Sequence, residues 1–111
     1  MNKLDEAQLH RAYGEVVSAA EALEIGEINF VEGVRRIAGL RALVSQLDHD
    51  PDFMLFVAID SESDHLPGVE QREHCAPEWL DQCDREAREL ETFWIAQVRT
   101  ACAALVTRFS V

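Results

Sequence analysis

The hydrophobic positions of this chain recur at three- and four-residue spacings, which is the period of an amphipathic α-helix. One such stripe lies near the start of the chain, at Leu4, Ala7, Ala12, Val16, Ala20 and Leu23. It predicts a first helix from about Asn2 to Leu23 or Glu24. Gly26 is placed to end this helix in left-handed geometry. Gly14 lies inside the helix, where a missing side chain leaves room for a neighbouring helix to approach.

A second helix is predicted from its capping residues and its stripe. Asn29 is a suitable N-cap, and Glu32 three residues later completes a relaxed capping box. The apolar residues that follow at helical spacing are Phe30, Val34, Ile37, Val44 and Leu47. We expect this helix to end near Leu47 or Asp48.

A third, shorter helix should begin at Asp50, with Pro51 in the first helical position. The run from Phe53 to Ile59 is entirely apolar. Such a run fits a buried helix or a buried strand equally well. Because a lone strand would have no partner in this chain, a helix is predicted.

The last predicted helix is the longest, from Pro77 to about Arg108. Its apolar stripe is continuous, at Leu80, Cys83, Ala87, Leu90, Trp94, Val98, Ala101, Leu105 and Phe109. On its polar side we expect i, i+4 ion pairs, Asp81 with Arg85 and Asp84 with Arg88. A stripe of this length needs a long surface to cover it, which the first two helices would provide. The prediction is therefore an all-α domain over residues 1–111, an antiparallel helical bundle with three long helices and one short helix.

The charge of the chain is unevenly distributed. The net charge is −11, and residues 48–91 alone hold fourteen acidic and three basic residues. This acidic stretch would repel nucleic-acid phosphates and anionic lipid headgroups and attract a basic partner. The charge thus favours a basic protein partner over nucleic acid or a membrane.

The remaining composition indicates a soluble cytoplasmic protein. The three cysteines, Cys75, Cys83 and Cys102, cannot all pair within a monomer, which suits free and mostly buried thiols in a reducing compartment. No signal peptide is expected, because the N-terminus has no apolar run. The longest apolar stretch is interrupted by Arg99 and is too short to span a bilayer.

Residues 59–67 read IDSESDHLP and concentrate acidic side chains in one short segment. The D-x-E-x-D spacing resembles the start of a calcium loop, but the sixth and twelfth positions, which need glycine and glutamate, hold His65 and Gln71. A zinc site could draw on ligands at His65, His74, Cys75 and Cys83, but their spacing matches no familiar paired-ligand pattern. Cys75 beside His74 lacks a third catalytic group, and no cofactor motif is visible. We therefore expect no enzyme activity and no cofactor.

The same segment is better interpreted as a connector between two helices. Asp60, Ser61 and Ser63 are suited to satisfying backbone groups at a helix end. We expect Leu66 to fill a place in the core and the acidic side chains of the segment to form ion pairs. The predicted pairs join Glu62 or Asp64 to Arg72, Arg35, Arg36 or Arg41.

A wider pattern surrounds this connector. DFMLFVAI is followed by DSESDHLPG, Arg72, APEWL and a long helix that closes on ACAALVTRF. This order resembles a small family of bacterial helical proteins without assigned activity, and the resemblance covers about Gly33 to Phe109. Its most specific part is the run Ser61-Glu62, Asp64, Leu66-Pro67 and Arg72. The resemblance implies a bacterial cytoplasmic, all-helical protein and carries over no catalytic or binding residue.

Two hypotheses about function are consistent with these features. The first is a non-enzymatic interaction protein that binds a basic protein, for instance an immunity protein that neutralises a cationic toxin. Its candidate contact residues are Asp60, Glu62, Asp64, Glu70, Arg72 and Trp79. The alternative is a metal- or ligand-binding regulatory protein centred on the 60–74 loop, with Asp64, His65 and His74 as metal candidates.

The oligomeric state stays open between a monomer and a homodimer. Trp79, Phe93, Trp94 and Ile95 give the last helix more apolar width than one contact surface needs. A homodimer would use this width between two copies. The favoured interpretation instead places both tryptophans in the core of a monomer.

Overall fold

A computed structural model describes residues 4–110, which contain helices and no strand. The four α-helices are α1 (Glu6–Glu24), α2 (Phe30–Val44), α3 (Pro51–Glu62) and α4 (Pro77–Phe109). A 3₁₀ helix, Val69–His74, lies between α3 and α4. The all-α prediction is confirmed, and the apolar run Phe53–Ile59 is helical as expected.

Side-chain caps fix where the helices begin. The carboxylate of Asp50 accepts a hydrogen bond from the backbone N–H of Asp52 at 3.1 Å, and α3 starts at Pro51 as predicted. Asn29 caps α2 in the same way through the N–H of Glu32. The predicted start of α1 at Asn2 lies outside the described residues; within them, α1 begins at Glu6. Asp5 forms a reciprocal capping box there with Gln8, at 2.8 and 3.0 Å.

The ends of α1 and α2 depend on the residue just beyond each helix. Gly26 has a φ of 75°, and the hydrogen bonds around it form a Schellman motif, which confirms its predicted role. The second helix stops at Val44 rather than near Leu47 or Asp48, because Ser45 is extended. The Ser45 hydroxyl donates to the Asp50 carboxylate at 2.6 Å and accepts from the N–H of Leu47.

Gly33, not Gly14, is the glycine that permits close helix packing. A Cβ built on Gly33 would lie 2.9 Å from a methyl group of Leu23, so α1 and α2 approach closely at this point. Around Gly14 the same added atom would meet nothing within 4 Å. The close approach expected at Gly14 is therefore not present.

The core is continuous and draws on all four α-helices. In α3, Phe53, Phe56 and Ile59 are completely buried, which explains why this short helix is apolar on most sides. The other fully buried large side chains are Val16, Val34, Ile37, Val98, Cys102 and Leu105. Phe109 joins the C-terminus of α4 to this core, with its ring 5.2 Å from Tyr13 and 5.9 Å from Phe53.

An ion pair anchors the C-terminal end of α4 to the start of α3. The guanidinium of Arg108 donates to the carboxylate of Asp50, whose residue is only 3% exposed, and also to Asp52. Burial by itself would raise the pKa of Asp50, but hydrogen bonds from Ser45 and Arg108 outweigh it. The pKa of Asp50 therefore lies below the ordinary aspartate value.

Burial is uneven along α4. Val98, Cys102, Leu105 and Phe109 are buried, whereas no residue from 84 to 97 is. The 33 residues of α4 extend about 50 Å, while α1, the helix it mainly packs against, extends about 28 Å with 19 residues. One neighbour of this length cannot cover the whole of α4. Within residues 4–110, no helix combines the length and apolar character needed to cross a membrane.

Candidate functional site

The acidic segment is an ordered corner rather than a loop. α3 continues through Asp60 to Glu62, so both residues are helical, which corrects the prediction that residues 60–74 are a loop throughout. Ser63 ends the helix, is completely buried and donates its hydroxyl to the carbonyl of Asp60 at 3.3 Å. Leu66 is buried, as predicted for a residue that fills a place in the core.

The side chain of Arg35 in α2 binds backbone carbonyls of this corner. Its guanidinium donates to the carbonyl of Ser63 at 2.6 Å and to that of Leu66 at 2.9 Å. The nearest carboxylate oxygen of Asp60 lies 3.9 Å from Arg35 Nε. Arg35, one of the arginines predicted to pair with Glu62 or Asp64, therefore does lie at this corner, but its main acceptors are backbone carbonyls and not those carboxylates.

The ion pairs expected for Glu62 and Asp64 are not formed. Within residues 4–110 neither carboxylate has a basic partner within 4 Å, and Arg72 binds Asp84 of α4 instead. That pair is bidentate, at 2.9 and 3.1 Å, and the hydrogen bonds from Arg72 lower the pKa of Asp84. Arg72 therefore fixes the 3₁₀ helix to α4.

The six predicted contact residues do not form one site. Glu62 lines one surface hollow, and Asp64 and Glu70 line another. Trp79 stands apart in the first turn of α4, 43% exposed. Placing both tryptophans in the core is therefore wrong, since Trp94 is only partly buried as well.

The hollow next to Glu62 combines aromatic rings with carboxylates. This Phe93 hollow has a volume of about 490 Å³ and is lined by Glu62, His65, Glu86, Glu89, Leu90, Phe93 and Trp94. Phe93 is 71% exposed, and its ring meets that of Trp94 edge to face, with centroids 4.9 Å apart. The hollow lies on the middle of α4, where no residue is buried.

One of the three glutamates in the Phe93 hollow has a partner. His65 Nε2 lies 2.5 Å from a carboxylate oxygen of Glu86, while Glu62 and Glu89 form no ion pair within the described part of the chain. His65 and Glu86 are 21 positions apart, so no local spacing could have predicted their contact. The width of apolar residues around Phe93 was the one sequence signal for this hollow.

Basic side chains line a neighbouring hollow that shares Phe93. A second hollow, of about 410 Å³, is lined by Arg85 and Arg88 together with Glu89, Thr92 and Phe93. The predicted i, i+4 pairs, Asp81 with Arg85 and Asp84 with Arg88, are not formed within 4 Å in residues 4–110. Phe93 and Glu89 therefore line both hollows, one with three glutamates and the other with two arginines.

The metal candidates do not converge. Among residues 4–110, no three histidine, cysteine, aspartate or glutamate side chains are grouped closely enough to hold a metal ion. Asp64 and His65 line different hollows, and the exposed ring of His74 lies 3.3 Å from Glu73. The metal-binding form of the alternative at 60–74 therefore gains no support from the described residues, and its ligand-binding form stays a prediction.

The three thiols are free, and two of them are buried. Burial raises the pKa of Cys102 to about 12, and it also raises that of Cys83. A high pKa keeps a thiol protonated and unreactive at neutral pH. Cys75 is partly exposed and donates its S–H to the carbonyl of Gln71.

Comparison with known proteins identifies no relative: no family model, curated protein or solved structure matches this chain. The family resemblance over Gly33–Phe109 therefore stays a prediction. The function of the chain has to be inferred from the chemistry of its own surface.

Proposed function

We propose that this protein is a non-enzymatic interaction protein that binds a basic protein partner through the acidic surface of residues 48–91. One observation carries the proposal. Of the fourteen acidic residues in this stretch, eight are exposed and form no ion pair within residues 4–110. They are Asp48, Glu62, Asp64, Glu70, Glu78, Asp81, Glu89 and Glu91.

Unpaired surface carboxylates favour association with a basic protein for two reasons. Their summed potential steers an oppositely charged partner and raises the association rate, an effect that salt weakens. In addition, these carboxylates have no internal ion pairs that must break before a partner binds. Among the predicted contact residues, Glu62, Asp64, Glu70 and Trp79 are exposed and free to act in this way. Arg72 is engaged by Asp84, so its proposed role is to position the surface.

An immunity protein that neutralises a cationic toxin is one form of this proposal. Covering the phosphate-binding groove of a nuclease, for example, would require a rigid acidic surface of this kind. A bacterial cytoplasmic setting and an antiparallel arrangement of the three long helices belong to the same proposal. The contact between Tyr13 in α1 and Phe109 at the end of α4 supports that arrangement.

Affinity capture with matched charge variants tests the proposal. The test variant carries Glu62→Gln, Asp64→Asn and Glu70→Gln. The control carries Glu15→Gln, Glu21→Gln and Glu27→Gln, which remove three exposed charges from α1 and its C-terminal end. The wild type and both variants are immobilised on a support and incubated with native lysate of the source organism at low and at high salt. The bound proteins are then identified by mass spectrometry.

We expect the wild type and the control to retain a common basic protein that the test variant releases. Retention should weaken as salt rises, because the encounter is electrostatic. Equal retention by all three proteins, or no specific basic protein at any ionic strength, would contradict the proposal.

A further inference from the structure

We infer that the Phe93 hollow is the anchor site of this surface and that it takes an arginine side chain of the basic partner. This inference rests on the proposed function and names the group that the partner inserts. Three features of the hollow support it: its two aromatic rings, its unpaired carboxylates and its place on a part of α4 that has no fully buried residue.

The aromatic rings provide a surface that a guanidinium group can stack on. The planes of Phe93 and Trp94 meet at 78°, so together they form two walls of a corner. A planar guanidinium is weakly hydrated and stacks on aromatic rings, and cation–π attraction adds about 0.5–2 kcal/mol, depending on desolvation. Leu90 extends the apolar lining, against which the methylene groups of an arginine can pack.

The carboxylates provide the charge. Glu86 is engaged by His65, which leaves Glu62 and Glu89 as carboxylates of the hollow without an ion pair in the described residues. The five N–H donors of an arginine can serve carboxylates and an aromatic face at once. A lysine ammonium is a smaller, more strongly hydrated charge, so we expect it to bind more weakly.

Charge complementarity favours this occupant over an apolar one. An apolar helix placed in the hollow would desolvate Glu62 and Glu89 without giving them partners, which is costly. A second copy of this chain could offer Arg85 or Arg88, which line the neighbouring hollow next to Phe93. The experiment must therefore distinguish binding of a partner's arginine from self-association of this chain.

The experiment uses the indole N–H signals of the two tryptophans in ¹⁵N-labelled protein. A Trp79→Phe variant identifies the signal of Trp94. The probe is the capped tripeptide acetyl-Ala-Arg-Ala-amide. The neutral control peptide carries citrulline, which keeps the shape of arginine without its charge. Sedimentation of the free protein is measured alongside.

We expect the Trp94 signal to shift and saturate with the arginine peptide, and to move little with the citrulline peptide. The pair Glu62→Gln and Glu89→Gln should weaken binding by about tenfold, the effect of losing one charged hydrogen bond. The matched pair Glu78→Gln and Glu91→Gln removes the same charge from α4 outside the hollow and should change the affinity by less than about twofold.

Three results would overturn the inference: no shift at Trp94, equal shifts with both peptides, or equal weakening by both variant pairs. A dimer in which the hollow is closed to the peptide would overturn it as well. Failure here is distinguishable from failure of the proposed function. If the partner of the capture experiment still depends on Glu62, Asp64 and Glu70, the acidic surface binds it without an arginine in this hollow.

Discussion

The C-terminal part of α4, from Val98 to Phe109, and its middle, from Asp84 to Gln97, belong to one helix but have different surroundings. The first part buries Val98, Cys102, Leu105 and Phe109, whereas the second buries no residue. Both have apolar residues at the same helical spacing, so periodicity alone does not distinguish them. The difference comes from the neighbours, since α1 is too short to cover all of α4.

The two parts of the helix should therefore have different roles, one in stability and the other in binding. Side chains with a full set of neighbours stabilise the fold, because removing them leaves a cavity. Side chains in the middle, which are at most partly buried, contribute less to folding, and the exposed ones remain available for contact with another molecule. Substitutions in the C-terminal part should therefore change stability, and substitutions in the middle should change binding.

The largest expected effect separates two leucines of α4. Leu105→Ala should lower the free energy of unfolding by about 2–5 kcal/mol, because Leu105 is completely buried. Leu90→Ala, the same chemical change in the middle of α4, should cost about 1 kcal/mol, because Leu90 is only partly buried. Urea unfolding of both variants measures the difference. Equal losses would mean that a further molecule or copy covers the middle of α4.

A second prediction concerns the ion pair that secures the C-terminal end of α4. Asp50→Asn should cost about 1–3 kcal/mol at pH 7, because it removes a charged acceptor of Ser45 and Arg108. Asp52→Asn is the matched control and should cost less than about 1 kcal/mol, since Asp52 is more exposed.

The effect at Asp50 should depend on pH with a definite sign. The pKa of Asp50 is lowered in the folded protein, so the ionised carboxylate stabilises the fold. This contribution to the free energy of unfolding is complete above the unfolded pKa of about 3.9 and is lost as the pH falls through the folded pKa. Urea unfolding between pH 7 and pH 2.5 should show the wild type and Asp50→Asn converging in acid. A constant difference across that range would contradict the assignment.

Local signals in the sequence were sufficient for most helix boundaries. Asn29, Asp50 and Gly26 act through backbone groups within three residues in the sequence, and the structure confirms all three. Ser45 shows the limit of this reasoning. Its effect on α2 involves Asp50, five residues away at the next helix start, and no helix-end pattern marks it.

The candidate site was harder to predict, because its contacts join distant parts of the chain. Arg72 pairs with Asp84 rather than with Glu62 or Asp64, and His65 pairs with Glu86. Each pair joins the segment before α4 to a residue of α4 that is 12 or 21 positions away in the sequence. The sequence indicated an excess of apolar width around Phe93. It could not show that α1 ends too early to cover it.

A smaller effect is expected at Trp94, at the edge between the two parts. Its indole nitrogen is buried, and no acceptor on the described residues lies within hydrogen-bond distance. Trp94→Phe removes this unsatisfied donor and also some apolar contact area, two changes of opposite sign. We expect the free energy of unfolding to change by less than about 1 kcal/mol in urea titrations. A loss above about 2 kcal/mol would mean that the N–H has a partner in solution.

The smallest effect on stability is expected at Phe93, where the effect on binding should be large. Phe93→Ser removes an exposed ring, so the free energy of unfolding should change by no more than about 0.5 kcal/mol. The same change removes one aromatic wall of the Phe93 hollow, so the shift of the Trp94 signal with the arginine peptide should be lost. Ile25→Ser, at an equally exposed position after α1, is the control and should leave both properties unchanged. A stable Phe93→Ser variant that still binds the arginine peptide would show that the ring has no part in binding, and that the carboxylates of the hollow act alone.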